Sequence, residues 1–183
     1  MLTALRQQRG VSLIELMITL VVFSILIFIG LPSFTVWMRN TQIRTAAEAI
    51  RNGLQMARTE AVRRNTLVRF VMGAGAAWTV SLVSDPANPL QSRPAEGSAA
   101  TFVVISPAGA TTVTFNGLGR VAANGDGSAS ITEIKADTTG IAEADSREIC
   151  VTLGSAGAVR MCDPLRAAGD PQACLPPIPA GCL

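Results

Sequence analysis

Apolar side chains run from Leu16 to Val36 with few polar interruptions, among them the hydroxyls of Thr19, Ser24 and Ser33. A stretch of this length matches the hydrocarbon thickness of a bilayer, and such hydroxyls can bond back to the helix backbone, so it predicts a membrane-spanning helix. Beyond it the pattern changes. Ile43, Ala47, Ile50, Leu54, Ala57 and Ala61 recur at intervals of three and four residues, marking one apolar face of an amphipathic helix that continues past the membrane. Arg44, Arg51 and Arg58 recur along the flank of that face, roughly 80° from its centre. A long side chain there covers apolar surface and keeps its charge in water. Arg63, Arg64 and Asn65 then close the helix, with cations at its negative end.

Alternation follows. It predicts strands at Leu67–Met72 and Ala77–Val83, joined as a hairpin through Gly73-Ala74-Gly75-Ala76. Further strands are expected at Thr101–Ser106, Thr111–Phe115, Ser130–Ile134, Arg147–Leu153 and Ala158–Cys162. The proline-bearing stretch from Asp85 to Ala100 reads as a long loop, and the chain after Asp163 as an irregular tail. Asn124-Gly125-Asp126-Gly127 reads as a turn, because it lacks the ligand spacing and terminal Glu of a calcium loop. The expected fold class is α+β: a long N-terminal helix, half membrane-spanning and half amphipathic, packed on antiparallel sheet.

Composition narrows the function. The 183 residues are 49% hydrophobic and only 4% aromatic, which fits a membrane segment attached to one ordinary domain. The chain has no His, so Ser-His-Asp and Cys-His nucleophile systems cannot be built and the commonest transition-metal ligand is missing. Cys150, Cys162, Cys174 and Cys182 contain no C-x-x-C pair. No catalytic residue, metal site or cofactor is expected. The net charge of +2 is unevenly spread: the helix is basic and the domain after it mildly acidic, a pattern that fits a solvated helix flank or contacts with acidic neighbours.

Arg6 and Arg9 ahead of the apolar run favour a cytoplasmic N-terminus, and the run is too long for the core of a secretory signal. Glu15 at its edge is expensive in a membrane unless it has a partner. Arg9-Gly10 followed by Val11-Ser12-Leu13-Ile14-Glu15 resembles the processing signal of the type IV pilin and type II secretion pseudopilin family, with Val11 where Phe is usual. The resemblance implies cleavage by a prepilin peptidase between Gly10 and Val11 and methylation of the new amine at Val11. It implies that Glu15 neutralises the amine of a neighbouring subunit, and that Pro32 permits a kink during assembly. It also implies an inner-membrane protein with its C-terminal domain in the periplasm, partnered by other major and minor pilins or pseudopilins. The organisation expected is a leader over 1–10, a membrane and filament-core half-helix over 11–38, a periplasmic domain over 39–165 and a disulfide-closed tail over 166–183.

In an oxidising periplasm four cysteines allow three pairings. A three-residue loop, Ser155-Ala156-Gly157, with Gly157 left-handed, pairs Gly154 with Ala158 and sets Cys150 opposite Cys162. That register favours a Cys150–Cys162 bond, leaving Cys174–Cys182 to close the tail. Ile149, Val151, Leu153, Val159 and Met161 then share the core face. Cys150, Thr152, Ala158, Arg160 and Cys162 share the other, so Arg160 is expected to be exposed beside a surface disulfide.

Three internal segments resemble the GspH/FimT family of minor pilins and pseudopilins: Leu54 to Asn65, an "LxxARxEAxxRN" pattern; Phe115 to Arg120, "FxxxGR"; and the Cys150–Cys162 hairpin. Some FimT-like members bind DNA through a C-terminal "GRxR". Here it reads Gly157-Ala158-Val159-Arg160, with the first Arg replaced by Ala. Arg160 and Arg166 are the candidate DNA contacts, and losing one cation of the pair implies weak or absent binding. The resemblance favours a FimT-like minor pilin that contributes to pilus assembly. A DNA-binding pilin for transformation and a GspH-like pseudopilin of type II secretion are the alternatives.

Overall fold

The computed structural model describes residues 11–95, 101–167, 169–174, 178 and 180–182. The expected leader, the end of the expected 85–100 loop and parts of the tail lie outside the described residues. The chain divides into two compact units, one ending at Trp37 and the other beginning at Met38. Helix α1, Leu13–Arg64, contributes to both and includes Pro32. In the first unit its apolar side chains are exposed, Phe28 to 82% and Leu13 to 76%. Among the described residues this is the helix long and apolar enough to cross a membrane. The hydroxyls of Thr19 and Ser24 do bond back, to the carbonyls of Leu16 and Leu20.

In the second unit the predicted stripe is the buried one. Ile43, Ala47, Ile50, Ala57 and Ala61 are fully buried, Leu54 nearly so, and Ala46 joins them. Each large aliphatic side chain on this face stabilises by about 2 kcal/mol through burial. Small residues let the helix lie close on the sheet. A β-carbon at Gly53 would come within 2.8 Å of the Phe70 ring and 2.9 Å of Trp78.

Two antiparallel sheets meet this face. The first consists of β1 (Val68–Met72), β2 (Trp78–Leu82), β3 (Gln91–Arg93), β5 (Thr112–Phe115) and β6 (Val121–Ala122), in the order β3-β2-β1-β5-β6. The second consists of β4 (Thr101–Ser106), β7 (Glu133–Thr138), β8 (Ile149–Leu153) and β9 (Val159–Cys162), in the order β4-β7-β8-β9. Val68, Phe70, Val80, Val113 and Phe115 from the first sheet and Ile134, Ala136, Val151 and Leu153 from the second form one core with the helix.

Three strands depart from expectation. The strand expected at Ser130–Ile134 lies at Glu133–Thr138. Its charges at Glu133, Lys135 and Asp137 look away from the core while Ile134, Ala136 and Thr138 are buried. Gln91–Arg93 forms a short edge strand inside the expected loop, held by its pairing with Trp78–Val80. Val121–Ala122 pairs with Thr114 and Phe115, although two residues carry no readable period.

The helix ends as its sequence implies. Asn65 is left-handed at φ 50°, its N–H donates to Val62 O and the Thr66 N–H to Ala61 O, which completes a Schellman cap. Glu60 accepts from both Arg63 and Arg64 at 2.7 Å. The hydrogen bond from Arg63, then that from Arg64, lowers its pKa from 4.5 to about 2. A depressed carboxylate contributes stability that is fully present above its unfolded value and lost as pH falls through the folded one. The last turn of the helix should therefore loosen between pH 4.5 and about 2. An NMR titration of the Glu60 side chain with its midpoint near 4.5 would overturn this.

Candidate functional site

The three segments that carry the family resemblance meet at the end of α1. Arg58 leaves the helix flank and its Nε donates to Gly119 O at 3.0 Å. The turn it grips is shaped by Asn116, whose side-chain oxygen accepts from the Leu118 and Arg120 N–H groups. Gly119 is left-handed at φ 72°. The β8–β9 hairpin closes on the same point. The Val121 N–H donates to Ser155 O at 3.2 Å. Gly157, at φ 79°, approaches so closely that a β-carbon there would overlap Gly119 O and lie 3.2 Å from Arg58 Nε. Asn65 at the helix end presses in the same way on Gly117. These residues lock helix, turn and hairpin together. Sequence reading placed Arg58 on the helix flank but could not see its partner, 61 residues away.

The hairpin register is the expected one, with Cys150 opposite Cys162 and Thr152 opposite Arg160. The disulfides are not. Cys150 bonds Cys182 and Cys162 bonds Cys174, with Cα separations of 5.7 and 4.8 Å, so both expected pairings are corrected. The reason lies in the ladder. The Gly154 N–H donates to Ala158 O, and counting by twos makes Cys150 and Cys162 a hydrogen-bonded pair. Side chains of such a pair stand further apart than those of a non-hydrogen-bonded pair, which disfavours a direct bridge. The tail lies over this face and offers each cysteine another partner.

It follows that Cys150 is not at the surface. It is fully buried and forms a second small cluster with Cys174 and Cys182, flanked by Cys162 and Ile178. The Gly181 N–H donates to the Glu133 carboxylate at 2.7 Å and fastens the tail to β7. Each bond closes a loop and is worth about 3 kcal/mol.

Of the residues named from sequence, Val11 begins the described chain and Glu15 lies in the first turn of α1, while Gly10 lies outside the described residues. Arg160 is exposed, as is Ala158 two positions before it on the same face. Arg166 is engaged within the tail, its guanidinium 3.4 Å from Asp163 and 3.0 Å from Asp170. The structure thus separates the two candidate DNA contacts: one faces solvent and the other is neutralised. A groove of about 690 Å³ runs beside Arg160, between β9, the tail at Asp170–Ala173 and Arg51 of the helix. Arg51 was legible only as a flank residue. The Asn124 turn is held from within, its side-chain amide donating to Thr112 O and Ser128 O. Among the described residues no cluster of three metal-ligating side chains occurs.

Comparison with known proteins agrees with this architecture. Residues 5–31 match the prokaryotic N-terminal methylation motif, and residues 46–157 match type II transport protein GspH. No curated protein matches the chain. A crystal structure of the type IV minor pilin FimU of Pseudomonas aeruginosa is similar at a TM-score of 0.53 and 18% identity, over 68% of this chain and 91% of that one. A second crystal form of FimU aligns at a TM-score of 0.48 and 18% identity, over 64% and 90%. The methylation motif implies processing by a prepilin peptidase and assembly with other pilins. With the GspH match spanning more than half of its length, the chain belongs to the GspH family of minor type IV pilins and type II secretion pseudopilins, a structural rather than an enzymatic family.

Proposed function

We propose that the chain is a FimT-like minor pilin, built into a type IV pilus and contributing to its assembly. The observation that carries this reading is the hairpin of β8 and β9, with Cys150 and Cys162 at its base and a Gly157-x-x-Arg160 end in which Gly157 is buried against the Gly119 turn and Arg160 faces solvent. Cleavage between Gly10 and Val11 frees an amine at Val11, which is methylated. Glu15 pairs with the amine of a neighbour, and Pro32 lets the helix adjust as it leaves the membrane. The leader, the membrane half-helix and the periplasmic domain divide the chain as the sequence implies.

DNA capture is not part of this reading. Ala158 supplies no cation, Arg166 is paired with two carboxylates, and no aromatic side chain on the hairpin offers a stacking platform.

The test is deletion of the gene followed by complementation. Loss of surface pili and twitching with normal protein secretion is the expected result. Lost secretion with normal pili would assign the chain to the secretion machine instead. In parallel, the full chain in detergent is titrated with DNA at low and physiological salt. The wild type should bind negligibly and Ala158→Arg should gain salt-sensitive binding. Salt-sensitive binding by the wild type that Arg160→Gln removes would restore the DNA-uptake role.

A further inference from the structure

β9 is the last strand of its sheet, and among the described residues its outer edge is unpaired where the groove lies. The bond from the Gly154 N–H to Ala158 O, with the regular register that follows, directs the backbone groups of Arg160 and Cys162 toward β8. Those of Val159 and Met161 therefore point outward, and among the described residues no backbone group bonds them. The tail begins to fill this edge and then leaves it. Asp163 and Ala173 form a parallel bridge, with the Asp163 N–H donating to Gln172 O at 2.8 Å. Pro171, which has no N–H to give, stands off from β9 as the far wall of the groove. What remains is a slot with a strand edge on one side and the tail on the other.

Its charge is also unmet. Of the flank arginines, Arg44 pairs with Glu48 and Arg58 holds Gly119 O. Arg51 and Arg160, both lining the slot and both exposed, have no hydrogen-bond or ion-pair partner among the described residues. Asp170, the carboxylate nearby, is taken by Arg166. The spacing is consistent: Arg51 lies seven residues before Arg58, about 10 Å along the helix, and Arg160 three residues past Gly157, about 10 Å along the strand.

We propose that the slot accepts an extended, acidic segment of a neighbouring pilin subunit, which adds to β9 as a fifth strand and pairs its carboxylates with Arg51 and Arg160. This rests on the reading that the chain assembles with other pilins. The edge carbonyls of Val159 and Met161 select against a phosphodiester chain, which brings only acceptors. A peptide backbone brings donors and acceptors in the order the edge requires, and carboxylates take the guanidinium forks.

The test uses the full chain in detergent micelles and two probes, the capped peptide acetyl-Glu-Val-Glu-Val-Glu-amide and its all-Gln counterpart. The Glu peptide should slow amide exchange at Val159 and Met161, and Arg51→Gln or Arg160→Gln should weaken its binding about tenfold or more. The Gln peptide should bind about tenfold more weakly than the Glu peptide. Unchanged exchange at both amides with millimolar Glu peptide overturns the proposal, as does equal binding of the two peptides. A short DNA duplex that binds the same amides and loses affinity in Arg51→Gln, where the peptide does not bind, assigns the slot to nucleic acid instead. The titration reports on the isolated protein, so its failure is distinct from a failure of the complementation that tests the pilin reading.

Discussion

Exchanging Glu15 for leucine should remove the protein from sheared filaments while leaving it processed, membrane-inserted and folded. Cleavage after Gly10 would leave a positive amine at Val11, and four residues on, about 6 Å along a helix, stands the carboxylate of Glu15. Two roles compete for it. A carboxylate in the first turn of α1 favours the helix by less than about 1 kcal/mol, which would pass unnoticed in a 52-residue helix. A carboxylate that neutralises an amine among packed apolar helices is worth more, because removing one partner strands the other charge at a cost of about 3–5 kcal/mol. The second role predicts a fall in incorporation of about a hundredfold or more, and the first predicts none. Immunoblots of sheared and membrane fractions separate them. Normal amounts of Glu15→Leu protein in the sheared fraction would remove Glu15 from the assembly step.

The second large effect belongs to Gly157. Alanine there meets two penalties at once: a backbone at φ 79°, and a β-carbon overlapping Gly119 O. The first costs about 1–3 kcal/mol. The second costs a similar amount, since what must move is backbone gripped by Arg58 and not the free end of a side chain. Gly109→Ala provides the control, with φ 82° and nothing within 4 Å of the added carbon. Thermal unfolding should show a loss of about 10 °C or more for Gly157→Ala and a smaller loss for Gly109→Ala. Equal losses in the two variants would mean that the contact with Gly119 carries no weight.

How much of this was legible depended on whether the physics was local. The helical stripe from Ile43 to Ala61 was readable because a 3.6-residue period and burial against a sheet have the same cause, and each residue read as apolar face is buried. The hairpin register was readable because a three-residue loop with Gly157 left-handed leaves one way to pair the strands. Strand β7 was displaced because its outward charges hid an alternation too short to stand out. The disulfides failed at a finer level. Their register was right, but bond choice turns on whether an opposed pair exchanges backbone hydrogen bonds and on the path of a tail with no period to read. Arg58 and Arg51 share one sequence environment and one flank, yet one is a structural clasp and the other lines an open slot. Only the positions of the turn at Gly119 and of strand β9 separate them.

The crossing of the tail over β8 also has a consequence in time. On the proposed reading the domain emerges into the periplasm with Cys150 and Cys162 first, facing each other across the new hairpin. Their lasting partners arrive later, the first of them, Cys174, 12 positions behind Cys162. At ordinary synthesis rates that gap is about 1–2 s. For that interval the nearest thiol is the wrong one, and the wide spacing of a hydrogen-bonded pair is what keeps the hairpin from sealing before the tail arrives. Maturation of this protein is therefore sensitive to how strongly oxidising its compartment is and to whether a disulfide isomerase is at hand. A cell that oxidises nascent thiols too eagerly would accumulate a hairpin shut on itself, with the tail cysteines left to find each other.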